Sequence, residues 1–306
     1  MNQVYRYVNY SKQAFHQKMD RMLLRREQEL LLLPIIAELR AEHPGIAARQ
    51  LYCMLKPEGI GRDKFEEICF TNGFKLERLK SSHRTTNSSG VIRFPNLVEG
   101  VEFTAVNQLW VSDITYYQVG QRFYYLTFVL DAHSRKIVGH SVSQRLSTEE
   151  TSLPALQTAL KNRAIAPGLI FHSDGGGQYY CKRFLELTKA HQMKNSMCDM
   201  AYENAYAERI NGTIKNQYLK GYNPQTFKEL KAMTDRAVYN YNNIRPHRSL
   251  KNQTPAAFEK QLPAGGPSSR NDNFCIFGIN TGQQQINHRS RMTKRTKEVE
   301  KTVNVF

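Results

Sequence analysis

The chain has no apolar stretch long enough to cross a membrane: its longest run, around Leu30 to Ile36, contains Pro34 and falls far short of the roughly 20 residues a span requires. No secretory signal stands at its N-terminus. Cysteine is scarce and odd in number, with Cys53, Cys69, Cys181, Cys198 and Cys275 scattered and no CxxC pair among them. That usage argues against structural zinc and predicts reduced packing cysteines in a cytoplasmic protein. Acid is in deficit too, 27 Asp plus Glu against 43 Lys plus Arg, for a formal charge of +16. The excess is +5 over residues 1–100, +7 over 101–265 and +4 over 266–306, so no single tail explains it. Such a balance favours a polyanion through counterion release, and a generally basic protein would show it equally.

Periodicity organises what is present. Residues 11–40 are rich in helix formers and predict one long helix, its apolar face made by Leu23, Leu24, Leu30, Leu31 and Leu33, for core packing or for a partner helix. Over 42–80, Ile46, Leu51, Met54 and Leu55 mark one helix, Pro57 and Gly59 break it, and Phe65, Ile68 and Cys69 mark a second. This is helix-turn-helix grammar, shared with ordinary helical hairpins. If the module reads DNA, the start of its second helix puts Arg62, Asp63 and Lys64 near bases or phosphates. From Arg78 to Leu97 the chain is rich in Ser and Thr, carries Lys80, Arg84 and Arg93, and has no acid. It reads as a basic linker, lying along DNA or simply solvated.

Strands are expected at 109–118, 122–131 and 135–143, followed by a helix at 149–163, a strand at 168–173, a helix at 181–191 and a strand at 194–198. Helices at 203–220 and 225–243 close the region. A meander followed by crossover units predicts an α/β fold, a ribonuclease H-like mixed sheet flanked by helices, preceded by an all-α region. The expected organisation is an N-terminal helix (1–40), a helix-turn-helix DNA-binding domain (41–80), a basic linker (81–100), a catalytic core (101–262) and a basic tail (263–306).

Three acids stand out in that core. Asp113 lies in the alternating run LWVSDITYY, Asp174 where the apolar strand Leu169-Ile170-Phe171 meets glycines in FHSDGGGQY, and Glu208 in the helical pattern ENAYAERINGTIKNQYL. Three carboxylates converging from three elements are costly unless cations neutralise them, and hard divalent metals bound by carboxylate oxygen are the usual solution. A two-metal centre for phosphodiester chemistry is the natural reading. Glu203 and Glu208, five residues apart, point about 140° away from each other on a helix, whereas Asn204, Glu208 and Lys215 share one face. Other residues have dull roles open to them: Asp131 as a turn former, His172 as a packed strand histidine and not a base, and Gly175 to Gly177 as a plain turn or as backbone approaching a bound phosphate.

The blocks WVSDITY, HSDGGGQY and ENAYAE, in this order, resemble the signature of the DDE transposase and retroviral integrase superfamily, and most closely the bacterial insertion-sequence group called the IS-three family. YNNIRPHRSLKNQTPAAF at 241–258 is similar to the block that closes that group's catalytic domain, and it adds Arg245 and His247 as candidate DNA contacts. The resemblance covers roughly residues 35–260. It implies a ribonuclease H-like core, Asp113, Asp174 and Glu208 as catalytic acids holding two Mg2+ ions (or Mn2+), and cleavage and strand transfer of double-stranded DNA at element ends and target. It also implies a homo-oligomer on DNA and, in many members, an upstream helix-turn-helix partner or a frameshift fusion to one. Two departures stand: Gly175 replaces the group's usual Arg, and 33 residues separate Asp174 from Glu208 where the group has 35. The deficit falls after Ser196-Met197, where a shortened loop is expected. The His-His-Cys-Cys zinc module of retroviral integrases is absent from the sequence. A ribonuclease H-like nuclease that cuts without joining, or a domesticated DNA-binding regulator, are the competing readings.

Overall fold

The computed structural model describes residues 11–76, 94–174, 176–198 and 205–262. Arg84, Arg93, Glu203, Asn204, Gly175 and the 263–306 tail lie outside the described residues, as does most of the expected linker.

Strict alternation along β1 (Leu109–Val119) distributes its side chains to two cores, one on each side of the sheet. Leu109 and Val111 face one, with Leu126, Phe128 and Leu130 of β2 (Arg122–Asp131) and Ile137 of β3 (Ile137–Ser143). Trp110, Val129 and Val138 face the other. β1, β2 and β3 form an antiparallel meander. After α4 (Ser152–Asn162), β4 (Ile170–Ser173) pairs parallel to β1, and after α5 (Lys182–Ala190), β5 (Lys194–Met197) pairs parallel to β4. The sheet order is β3-β2-β1-β4-β5. Parallel neighbours require crossovers, and the two helices of those crossovers cover the face that holds Trp110. Gly139 of β3 lies so close to Ala155 and Ala159 of α4 that any side chain there would collide with the helix.

The opposite face is covered by α6 (Ala205–Thr213) and α7 (Phe227–Asn243). α6 continues through a π-helical turn (Ile214–Leu219) into Lys220–Tyr222. α7 ends beside the sheet edge, where the Asn242 amide exchanges two hydrogen bonds with the backbone of Ile137 at 2.9 and 2.8 Å, supplying to β3 what a further strand would. A short α8 (Pro255–Lys260) closes the described chain. This is a mixed sheet flanked by helices in the ribonuclease H-like arrangement.

The N-terminal region is all helical. α1 (Lys12–Glu42), α2 (Ala48–Leu55) and α3 (Arg62–Thr71) enclose a separate core of Ile36, Ile46, Leu51, Phe65, Ile68 and Cys69. The expected apolar face of α1 is corrected here. Leu33 packs on this core with Leu32 and Leu39, while Leu23, Leu24, Leu30 and Leu31 are exposed. Those four lie at spacings of one and seven residues and share a face about 120° wide, but α2 and α3 reach only the second half of α1 and leave that face uncovered.

This helical region is joined to the sheet region at the end of α1. Gly45 donates its N–H to the Gln217 carbonyl at 2.8 Å within the π-helical turn. His43 Nδ1 lies 3.1 Å from Tyr218 Oη, both side chains buried. Glu42 pairs with Arg236, and its carbonyl accepts from Asn240 at 3.1 Å and from the Tyr222 hydroxyl. No described helix is long and apolar enough to cross a membrane.

Candidate active site

β1 and β4 are parallel neighbours with Ser112 opposite Ser173. Asp113 and Asp174 therefore occupy the next position along each chain, on strands spaced about 4.8 Å apart. Below them the Ser112 and Tyr179 hydroxyls meet at 3.0 Å. α6 crosses the same end of the sheet: its buried Ala207, Ile210 and the following Ile214 pack on Val111 and its neighbours, which sets Asn211, and Lys215 of the following π-helical turn, against β1, with Glu208 on the same side of the helix as Asn211. Asn211 Nδ2 donates to Asp113 Oδ2 at 2.8 Å, and Lys215 Nζ donates to Thr115 Oγ1 at 2.9 Å while standing 5.1 Å from the Tyr116 ring centre.

The electrostatics follow from that placement. Burial and then the Asp174 carboxylate push Asp113 up to about 7, with Glu208 adding to the rise and hydrogen bonds from the Ile114 N–H and Asn211 opposing it. Asp174 is raised by burial, against the Gly176 N–H that donates to its Oδ1 at 3.1 Å. Burial also raises Glu208 and lowers Lys215. Two adjacent carboxylates and a third within electrostatic reach are a hard-oxygen donor set that a divalent cation would relieve. Among the described residues, however, no three Asp, Glu, His or Cys side chains stand close enough together to hold one ion. The aspartate pair fits a cation chemically, and Glu208 stands in the first turn of α6.

Nearby residues have structural duties. Asp131 is fully buried and accepts from the N–H groups of Asn107, His133 and Ser134 at 2.7, 3.1 and 2.9 Å, which closes the turn after β2. His172 is buried with Nδ1 2.9 Å from Ser196 Oγ, and burial lowers it to about 4.

The expected DNA contacts are dispersed. Arg62 and Lys64 lie on the first turn of α3, exposed and paired with acids: Arg62 with Asp63 at 2.8 Å, Lys64 with Glu29 at 3.3 Å and Glu67 at 3.2 Å. Pairs of this kind are weak and can exchange for phosphate. Arg245 is partly buried beside α6, its Nη2 donating to Gln217 Oε1 at 3.0 Å. His247 is buried, and desolvation and then the charge of Arg245 lower it to about 3, so it meets any ligand as a neutral imidazole. Sequence reasoning missed Asn211, although its position three residues after Glu208 places it on the same helical face.

Residues 104–202 and 191–255 each match a family described as the integrase core domain. The chain is 31% identical over 254 residues to the 31 kDa protein of insertion element IS600 from Shigella sonnei, covering 80% of this chain and 92% of that one. It is 27% identical over 259 residues to the transposase InsF of insertion sequence IS3fB from Escherichia coli, covering 82% and 85%. The catalytic core domain of HTLV-2 integrase, solved in complex with magnesium, aligns at TM-score 0.40 and 22% identity, covering 49% of this chain and 93% of that one. With its two integrase-core matches and its insertion-sequence relatives, the chain belongs to the DDE transposases of the IS-three family, which share the retroviral-integrase type of catalytic core.

Proposed function

We propose that the chain cuts double-stranded DNA at the ends of its insertion element and joins the freed 3′ ends to a second DNA strand, with Asp113, Asp174 and Glu208 as the catalytic acids. The observation that carries this reading is the aspartate pair, Asp113 on β1 and Asp174 just after the neighbouring end of β4, with Asp113 raised to about 7 by burial and by the half-buried Asp174. Such a pair carries a strong electrostatic cost.

Asp113 and Asp174, with Glu208 as a third donor, would hold Mg2+ or Mn2+. When bound, the metal supplies charge neutralisation and polarises the phosphodiester. The chain's own residues do the rest. Asn211 orients the Asp113 carboxylate, and Lys215 offers a cation beside the acids to the terminal DNA strand. Cleavage is in-line attack of water on phosphorus, releasing a 3′ hydroxyl; joining is attack of that hydroxyl on a target phosphodiester, releasing the target's own 3′ oxygen. Positioning is the main demand on the protein.

In the same reading α2 and α3 bind the element ends through Arg62 and Lys64, the 81–100 linker with Arg84 and Arg93 follows the DNA, Asn204 belongs to the Glu208 face, and Arg245 and His247 serve DNA from the far side of α6. The protein acts as a homo-oligomer on DNA, alone or with an upstream helix-turn-helix partner. A strand-transfer assay with oligonucleotides of the element's ends tests it. Joined products that vanish in Asp113→Asn and Asp174→Asn are expected. Cutting without joining supports the nuclease reading, and neither activity in the presence of Mg2+ or Mn2+ refutes the proposal.

A further inference from the structure

The face of α6 turned away from Glu208 and Asn211 lines a small cleft of about 170 Å³. Arg135, Arg209 and Arg245 reach it from three separate segments, together with Thr213, His247 and Ser249, and no acidic side chain lines it. Three like charges around so small a volume repel one another unless an anion joins them.

Two of the guanidinium groups are held in place. Arg135 Nη2 donates to Tyr206 Oη at 2.9 Å and its head lies 3.8 Å from the Tyr206 ring centre. Arg245 is fixed by Gln217 at 3.0 Å. The third, Arg209, is exposed at the mouth and has no acidic partner among the described residues. In the wall, Arg245 Nε and His247 Nε2 are buried and lack hydrogen-bond partners among the described residues, and His247 is only 7% exposed. Buried donors without partners are costly, and a wall that keeps the Arg245 Nε–H beside pre-set guanidinium forks suits an oxyanion, phosphate above all.

We propose that this cleft binds a backbone phosphodiester of DNA at a point away from the scissile phosphate. At about 100° per residue, Arg209 and Thr213 project to the opposite side of α6 from Glu208, Asn211 and Lys215. The body of a helix about 10 Å across therefore separates the cleft from the acids. A strand engaged at the acids reaches the cleft only by passing over α6, or a second duplex occupies it. The inference rests on the transposase reading for its ligand and on the cleft alone for its place.

The test uses the full chain as wild type, Arg209→Glu, Arg209→Lys and Arg245→Gln. Binding to a duplex without element sequence is measured by fluorescence anisotropy between about 50 and 200 mM salt, where each phosphate contact contributes roughly 0.9 to the salt slope. The expected result is a several-fold loss of affinity and a slope smaller by about 1 in Arg209→Glu and in Arg245→Gln. Arg209→Lys, which keeps the charge and loses the fork, should fall between. Inorganic phosphate should compete with the duplex on the wild type and lose that effect in Arg209→Glu. Wild-type slope and affinity in both Arg209→Glu and Arg245→Gln overturn the cleft while leaving the transposase reading intact. Phosphate that raises the wild-type melting temperature without competing with duplex assigns the cleft to a free anion and overturns the DNA proposal. A wild-type chain that binds no duplex at all overturns the transposase reading together with it.

Discussion

Asn211 of α6 donates a 2.8 Å hydrogen bond to Oδ2 of Asp113 on β1, so the helix that carries Glu208 is tied directly to the acid most perturbed by its surroundings. The bond crosses 98 positions of sequence and opposes the rise of the Asp113 pKa. A hydrogen bond to a charged group contributes about 1.5–3 kcal/mol. Expressed in the chemical step, that corresponds to roughly 10–100-fold in rate. Asn211→Ala should lower the single-turnover cleavage rate by this order and leave affinity for end DNA unchanged. Equal losses in affinity and rate would show that Asn211 serves binding, not the orientation of Asp113.

Asp113 also makes stability depend on pH. Its folded pKa of about 7 stands above the ordinary 3.8, so the folded chain holds the proton more tightly than the unfolded chain. Without divalent metal, Asp113's own contribution to stability is therefore fully present below about pH 4, falls as pH rises through the interval to about 7, and is lost above it. The whole loss is of the order of 4 kcal/mol at most, at about 1.4 kcal/mol per pKa unit. Asp113→Asn should unfold at higher urea than wild type at pH 8 in EDTA and lose that advantage at pH 4. A difference between the two proteins that does not change with pH would rule out the raised carboxyl.

Divalent cations should act in the opposite sense on the same acids. If Asp113 and Asp174 hold Mg2+ or Mn2+, either ion raises the wild-type melting temperature at neutral pH, more at pH 8 than at pH 6, because the proton competes with the metal for Asp113. Asp113→Asn and Asp174→Asn should show little of this shift by differential scanning calorimetry. Equal metal-induced shifts in all three proteins would place the ion elsewhere.

Glu208→Gln should abolish both cleavage and joining while Glu203→Gln retains substantial activity. Glu208 shares its helical face with Asn211 and Lys215, which are already engaged with β1. Extended at about 100° per residue, the repeat of this helix sets a position five residues before Glu208 about 140° away from it. An inactive Glu203→Gln beside an active Glu208→Gln on one end substrate would reverse the assignment.

Much of this arrangement is legible in the sequence, because it depends on local periodicity. Alternation through LWVSDITYY and RFYYLTFVLD marks β1 and β2 nearly to the residue, and the apolar run ending at Asp174 marks β4. Less legible is whatever depends on which faces meet. Arg135, Arg209 and Arg245 share a cleft only because α6 packs between the turn after β2 and the end of α7. The exposure of Leu23, Leu24, Leu30 and Leu31 was hidden for the same reason, since a leucine-rich helix looks alike whether or not neighbours reach it.

The junction between the helical region and the sheet gives the last prediction. His43 and Tyr218 are 175 positions apart, and their 3.1 Å contact lies where the π-helical turn follows α6. Burial brings His43 down to about 4, so it is neutral and depends on the Tyr218 hydroxyl for its Nδ1 partner. Tyr218→Phe removes that hydroxyl and leaves a buried ring nitrogen unsatisfied, at a cost of about 1–3 kcal/mol. One helical turn away, Gly221 packs on the Pro44 ring with no room for a side chain. Gly221→Ala must therefore push the two regions apart, at a cost of about 1–3 kcal/mol. Both variants should open the Pro44–Gly45 connection to protease before the sheet region unfolds, and Gly221→Ala should do so more. Because the displaced contact follows directly on α6, both should also slow cleavage at saturating DNA. Proteolysis and cleavage unchanged from wild type in Gly221→Ala would mean that the helical region is not coupled to α6 through this joint.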